Sequence, residues 1–370
     1  MVATIMTMLN ADDDEFGEGC SDSDDCNNKE NDRFFLSRYT WLRVTEHEQA
    51  QAHEAGHPFF TPTLVGCAIA VDKDYFFDIG AFDEGLRIWG GENIEIGFRV
   101  WMCGGKLVTV TCSHVGHVFK EFPYRFDGDK EEIVQKNLMR IAEAWMDGLK
   151  KFFYASTRIY EFKRAEFNAE DLASLEERKA LRKRLGCQNF EWYLYNVIPQ
   201  YEVPPANARF YGEISNTRTK ACWEVSKDYY ITMTYVCYFH KIIPENNFAL
   251  AHDGLLRFKD RCVKISAPNP ALTIAQCPTE SDGSPAGPDA IEKFGFWELQ
   301  KKATVAGQLV VKRRNAEGVL EHWCITQVTN VLEQHKGVQM PQLGSCGNNE
   351  FQEWSFTYGF NFSLVPKDIV

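Results

Sequence analysis

The stretch "IWGGENIEIGFRVWMCGG", residues 88 to 105, sets two tryptophans, two glycine pairs and two carboxylates in one amphipathic segment. On a helix starting at Glu92, Ile94, Phe98 and Trp101 share one face, while Glu92, Glu95 and Arg99 lie near another. Gly104 and Gly105 supply the stop, since glycine accepts the left-handed conformation that ends a helix. The pattern predicts a helix entered through a Trp-Gly-Gly-Glu turn. Glu92 at its start reads two ways: as a carboxylate favoured by the helix macrodipole, or as a hydrogen-bond acceptor for a ligand hydroxyl.

Working outward, "LVGCAIAV" (64–71) is an unbroken apolar run that suits a buried strand, and "DKDYFFDIGAFDEG" reads as a short helix with turns at Gly80 and Gly85. Asp72-x-Asp74 imitates a metal motif directly after a strand, but its simpler role is to cap the helix that follows. Downstream, "KLVTVTC" alternates as a strand and "SHVGHVFKEFPYRFDGD" reads as a loop. Residues 130–154 form a strongly amphipathic helix; 168–185 form another, with Asn168 as cap and its charges as a solvated face.

Near Pro199 to Pro205 the character changes to short strands, Gly and Asn turns and spaced cysteines. Cys222 with Cys237, Cys262 with Cys277 and Cys324 with Cys346 mark three loosely repeated units, two of which close on the ring-bearing phrases "FGFWEL" and "FQEWSF". A threefold pattern of short strands suggests a trefoil or propeller rather than a sandwich. The twelve cysteines include no CxxC or CxxxxC with matching histidines, so a zinc site has no support and an oxidising, secretory-pathway compartment is the better reading. "NFS" at Asn361 adds one glycosylation sequon.

The net charge of −12 is unevenly spread. Residues 1–33 hold ten acidic side chains against Lys29 and Arg33, a charge of −8, which leaves −4 for everything else. The globular part is nearly neutral, so nothing electrostatic points to nucleic acid. The acidic segment has too little apolar surface to offset ordering and reads as a disordered tail over 1–33. "MVATIMTMLN" has no basic n-region, and no apolar run approaches the ~20 residues that span a bilayer.

The phrase "TPTLVGCAIAVDKDYFFDIGAFDEGLRIWGGENIEIGFRVWMCGGKLVTVTCSHVGHVFK", followed by "NLMRIAEAWMDGLKKFFY", "LGCQNFEWYL" and "YGEISN", resembles the polypeptide N-acetylgalactosaminyltransferase family. The resemblance implies an α/β partial GT-A-like nucleotide-sugar transferase domain over 34–198, a linker at 199–210, and an all-β ricin-type β-trefoil lectin domain over 211–365. It implies a retaining Golgi transferase that moves GalNAc from UDP-GalNAc to Ser or Thr of proteins with manganese. His117 would be one of three protein metal ligands. Trp89 and Glu92 would carry the catalytic pocket, and Gly90 and Gly91 would let backbone approach the sugar closely. Phe119, Lys120 and Tyr124 would contact substrate, with Phe119 and Tyr124 on a mobile loop, and Cys103 would pair with Cys187.

Several departures from the family pattern bear on activity. No Asp-x-His metal motif occurs in the sequence, Val65-Gly66-Cys67 stands where the family has Ala-Gly-Gly, and Lys120 replaces an arginine fork with a point charge. Cys112 would lack its family partner unless Cys20 or Cys26 substitutes. The lectin phrase Cys-Leu-Asp reads Cys222-Trp223-Glu224, Cys262-Val263-Lys264 and Cys324-Ile325-Thr326, leaving Glu224 as a weak glycan-contact candidate. The expectation is a family member whose GalNAc transfer is impaired because the nucleotide-binding half is absent. The alternative is a catalytically inactive carbohydrate- or protein-binding module.

Overall fold

A computed structural model describes residues 2–10, 58–64, 69–117, 124–156, 165–199, 202–235, 246–265, 271–278, 294–303, 305–314, 317–329 and 339–365. Two compact units divide the chain. The first takes Met1–Tyr154, Ile159–Tyr201 and Val365–Val370, and the second takes Ala155–Arg158 and Glu202–Leu364.

The first unit is α/β. Its strands are β1 (Val2–Asn10), β2 (Phe59–Phe60), β3 (Ile69–Ala70) and β4 (Lys106–His117), in the order β2-β4-β1-β3, with β1 parallel to β4. Residues 2–10 were expected to belong to a disordered tail; here they form a strand instead. The physical reason is local, because "VATIMTMLN" carries no charge and is rich in β-prone Val, Thr and Ile. The acidic residues 11–33 lie outside the described residues. Pairing with β1 also carries β4 through to His117, past the point where a loop was expected to begin, with Asn10 opposite His117.

Helix α1 (Lys73–Asp78) opens on Asp72, whose carboxylate accepts the Tyr75 N–H at 2.8 Å, which is the capping role read from the sequence. Helix α2 (Glu92–Met102) begins at Gly91 and stops at Cys103 and Gly104, where the Gly105 N–H donates to Val100 O at 2.8 Å. Helix α3 (Lys130–Trp145) ends sooner than the single helix expected over 130–154. Asp147 takes a left-handed φ of 48°, and the chain resumes as α4 (Lys150–Ala155). The Asp147 carboxylate is drawn away by long-range partners, accepting from Arg182 and from the Phe190 N–H. Helix α5 (Ala169–Arg184) has a complete capping box between Asn168 and Asp171. Helix α6 (Phe190–Val197) packs Phe190 and Tyr193 edge-on against Phe98 of α2. The Cys103–Cys187 disulfide joins the ends of α2 and α5.

The second unit is all-β. Its strands are β5 (Ala208–Asn216), β6 (Cys222–Val225), β7 (Ile231–Thr234), β8 (Phe248–Ala251), β9 (Leu256–Phe258), β10 (Arg261–Ile265), β11 (Leu272–Gln276), β12 (Phe296–Lys301), β13 (Ala306–Arg314), β14 (Leu320–Thr329), β15 (Gln339–Gly344) and β16 (Glu353–Gly359). They share one antiparallel network, in which β5 and β16 pair the beginning of the unit with its end. Three hairpins repeat: β6–β7, β10–β11 and β14–β15. In each, a cysteine on the first strand is followed by a fully buried residue, Trp223, Val263 or Ile325. Disulfides close Cys262–Cys277 and Cys324–Cys346; Cys222 is also disulfide-bonded, and Cys237 lies outside the described residues. Trp223 packs edge-on against Phe248 and Trp354, and the Trp354 indole N–H donates to Ile325 O at 2.8 Å. The Trp354 and Trp297 indoles thus have acceptors inside the apolar core, whereas the Trp223 indole N–H is buried with no hydrogen-bond partner among the described residues.

Candidate active site

The turn that feeds α2 is held in a conformation most residues avoid. Gly90 and Gly91 have φ of 105° and 96°, and Ile88 is also left-handed. A Cβ added at Gly91 would come within 2.6 Å of Ile141 Cδ1, so this glycine is required by close packing on α3 as well as by its φ. The Glu92 side chain folds back, with Oε2 accepting the Gly90 N–H at 2.8 Å. Trp89 is 40% exposed, and Ile88 beside it equally so. A large ring held at the surface on a turn supported from beneath is suited to stacking on a ligand face.

Support comes from one residue that the sequence reading missed. Asn137 on α3 is buried, and its side-chain amide donates to Arg87 O, Trp89 O and Gly90 O at 2.9, 3.1 and 3.0 Å. Its carbonyl accepts the Arg87 N–H at 2.9 Å. One side chain thus satisfies four backbone groups of the turn. A signal existed: Ile133, Asn137 and Ile141 recur at helical spacing on the buried side of α3, so a lone amide stands in an apolar stripe.

Below the turn lies a buried charge circuit. Arg140 forks onto Asp83, with Nε to Oδ2 at 2.9 Å and NH2 to Oδ1 at 2.8 Å, and also reaches Ser174. Arg178 of α5 meets Asp83 at 3.1 Å and Glu95 at 3.8 Å. Arg99 forks onto Glu95 at 3.1 and 2.8 Å and donates to Ile79 O, while the Trp145 indole donates to Glu95. Glu95, Arg99 and Arg178 are buried, so the polar face read on α2 is an interior face, and the charges of α5 are not all solvated. Burial alone would raise the Asp83 carboxyl, but the Arg140 hydrogen bond and the Arg178 and Arg140 charges hold it below the ordinary range. Partners on three helices fix the chain on either side of Trp89.

The structure thus gathers Trp89, Gly90, Gly91 and Glu92 into a single turn. Tyr124 is described and half-exposed. His117 is placed by its backbone at the end of β4, and its side chain, like Phe119, Lys120 and the side chain of Cys112, lies outside the described residues. Glu224 sits on β6 of the second unit, its carbonyl accepting from Thr232. Among the described residues no three His, Cys, Asp or Glu side chains converge as a metal-holding group, so a manganese site is not assembled by them. Among the same residues no helix is long and apolar enough to cross a membrane.

The chain is similar to known proteins over part of its length. A family model described as the N-terminal domain of galactosyltransferase matches residues 46–121. Polypeptide N-acetylgalactosaminyltransferase 6 of Mus musculus is 40% identical over 191 residues, which cover 51% of this chain and 30% of the relative. Polypeptide N-acetylgalactosaminyltransferase 13 of Homo sapiens is 37% identical over 236 residues, covering 62% of this chain and 40% of the relative. The chain therefore spans well under half the length of these curated relatives. A crystal structure of GalNAc-T7 with UDP, GalNAc and Mn2+ aligns over 85% of this chain and 52% of its own, at 23% identity and a TM-score of 0.38.

Proposed function

We propose that this chain is a member of the polypeptide N-acetylgalactosaminyltransferase family, a reading supported by its similarity to those relatives, and that it serves the transfer of GalNAc from UDP-GalNAc to Ser or Thr hydroxyls of proteins. The observation that carries the reading is the Trp89-Gly90-Gly91-Glu92 turn, with its exposed indole and a carboxylate bound back to the Gly90 N–H. In this reading Trp89 offers its ring to the apolar face of a sugar or acceptor, and Glu92 accepts a hydrogen bond from a hydroxyl. As the sugar C1–O bond to UDP breaks and the bond to the acceptor oxygen forms, the hydroxyl proton must leave, and a fixed carboxylate at that oxygen favours its departure. Asn137 positions the turn without touching substrate. Gly90, Gly91, Phe119, Lys120 and Tyr124 remain the proposed substrate contacts.

The family's manganese would stabilise charge on the departing diphosphate. His117 is the candidate ligand, and a lone imidazole is an incomplete donor set for the ion. The partial transferase domain is proposed over 34–198, the linker over 199–210 and a ricin-type trefoil over 211–365, the last supported by the three repeated hairpins. Glu224 is its candidate glycan contact, and the Golgi its compartment.

Incubating the full chain with UDP-GalNAc, Mn2+ and a Thr-rich peptide tests the reading. Transfer is expected to be impaired, because no Asp-x-His motif accompanies His117, and to fall about a hundredfold further in Glu92→Gln. Transfer that is equal in the wild type, Glu92→Gln and Trp89→Ala would refute the assignment. Peptide or glycan binding with no transfer at all would favour the second reading, a binding module.

A further inference from the structure

Asn361-Phe362-Ser363 is the single Asn-x-Ser/Thr triplet in the 370 residues, and its middle residue is not proline. Both Asn361 and Ser363 are exposed. The backbone around them is anchored, since the Phe360 N–H donates to Arg209 O and the Asn361 N–H to Ala155 O, while the Phe360 side chain is buried. The Ser363 hydroxyl donates to Asn361 Oδ1 at 2.7 Å, and the Ser363 N–H donates to the same oxygen at 3.2 Å. Both bonds engage the side-chain carbonyl, so the Nδ2 amide has no hydrogen-bond partner among the described residues. A sugar attached there would extend into solvent without displacing any contact of the fold.

A second observation supplies the compartment. Three disulfides among the described residues, with Cys222 also disulfide-bonded, fit an oxidising lumen of the kind in which secreted chains mature. We propose that Asn361 is an N-glycosylation site, taking its glycan from a lipid diphosphate-linked oligosaccharide in that lumen. In the step, the sugar C1–O bond to the diphosphate breaks and a C1–Nδ2 bond forms. The lipid diphosphate leaves with the electron pair, and one Nδ2 proton passes to the glycosylating enzyme. The proposal is independent of the transfer reaction assigned above.

The full chain is expressed behind an appended secretion leader in mammalian cells and recovered from the medium or from the lumenal fraction, with Cys103–Cys187 verified by non-reducing peptide mapping. The expected result is a slower-migrating species that collapses on peptide-N-glycosidase treatment, with Asn361 converted to Asp in the mass spectrum. Asn361→Gln and Ser363→Ala lose that species, and Ser363→Thr keeps it. A disulfide-bonded lumenal chain with unmodified Asn361, or a glycosidase-sensitive species that persists in Asn361→Gln, would overturn the assignment. Because both side chains are exposed, the variants keep the Cys103–Cys187 peptide, which separates loss of the glycan from loss of the fold.

Discussion

The two units are held together by opposite means. In the first, the turn before α2 depends on Asp83, Glu95, Arg99, Arg140 and Arg178, groups that are distant in sequence and buried together. Its disulfide spans 84 positions. In the second, Trp223, Trp297 and Trp354 fill a core of apolar side chains, and the described disulfides span 15 and 22 positions, each within one repeat. A fold built on paired buried charges is specific but fragile to the loss of one partner, whereas a repeated apolar core spreads its stability over many contacts.

The largest effect expected is from the long-range disulfide. Replacing Cys103 and Cys187 with Ser should destabilise the first unit by about 4.5 kcal/mol, against about 3 kcal/mol for the Cys262–Cys277 pair in the second, as loop closure scales with length. Denaturant unfolding read by unit-resolved hydrogen exchange compares the two, and equal losses would erase the contrast.

Removing one charge from the circuit comes next. Arg140→Ala strips Asp83 of its forked partner and should cost about 3–5 kcal/mol, with faster amide exchange confined to the first unit. Trp354→Ala is expected to cost a similar amount in the second unit through a cavity instead. The mechanisms separate on a second substitution: Arg140→Met combined with Asp83→Leu should recover only part of the loss, because the buried Arg178 then loses its Asp83 partner as well.

Asn137→Ala should cost about 2–3 kcal/mol, since it leaves several carbonyls of the turn without donors. Faster exchange at residues 87–92 with the rest of α3 protected is the diagnostic. Asn137→Asp should not rescue it, because a carboxylate cannot donate.

The smallest effect is on pH dependence, and the units should move in opposite senses. The folded Asp83 carboxyl is held below its unfolded value, so its contribution is present above about pH 3.9 and lost as pH falls through the folded value. Glu202 in the second unit is raised chiefly by burial, against the lowering effects of Lys259 and Tyr211. Its contribution is present below about pH 4.3 and lost as pH rises through the raised folded value. Acidification from neutrality should therefore first strengthen the second unit and only later weaken the first. Glu202→Gln should flatten the second unit's profile, and an unchanged profile would remove Glu202 from the account.

What the sequence made legible follows the same division. The Asn168 cap and the glycine stop of α2 were readable because each is decided within a few residues. The repeated cysteine hairpins were readable because their periodicity is local. The break at Asp147 was not, because its cause is Arg182 and the Phe190 N–H, far along the chain. Glu95 and Arg99 read only as a second, polar face of the helix for the same reason: a helical wheel cannot show that Trp145 and Arg178 arrive from α3 and α5. At the candidate site, Trp89 and Glu92 were named from "WGGEN", while the residue that shapes their turn, Asn137, is 48 positions from Trp89 and was passed over.

The central claim is that the Trp89–Glu92 turn is where a sugar or acceptor rests, and the exposed indole reports on it directly. The chain is labelled with 5-fluorotryptophan, the Trp89 resonance is assigned by its loss in Trp89→Phe, and a Thr-rich peptide is titrated in with UDP-GalNAc and Mn2+ present. A saturable shift of the Trp89 resonance, with buried Trp297 and Trp354 unmoved, is the result predicted. A Trp89 resonance that stays fixed while peptide binds, or while GalNAc is transferred, would contradict the account.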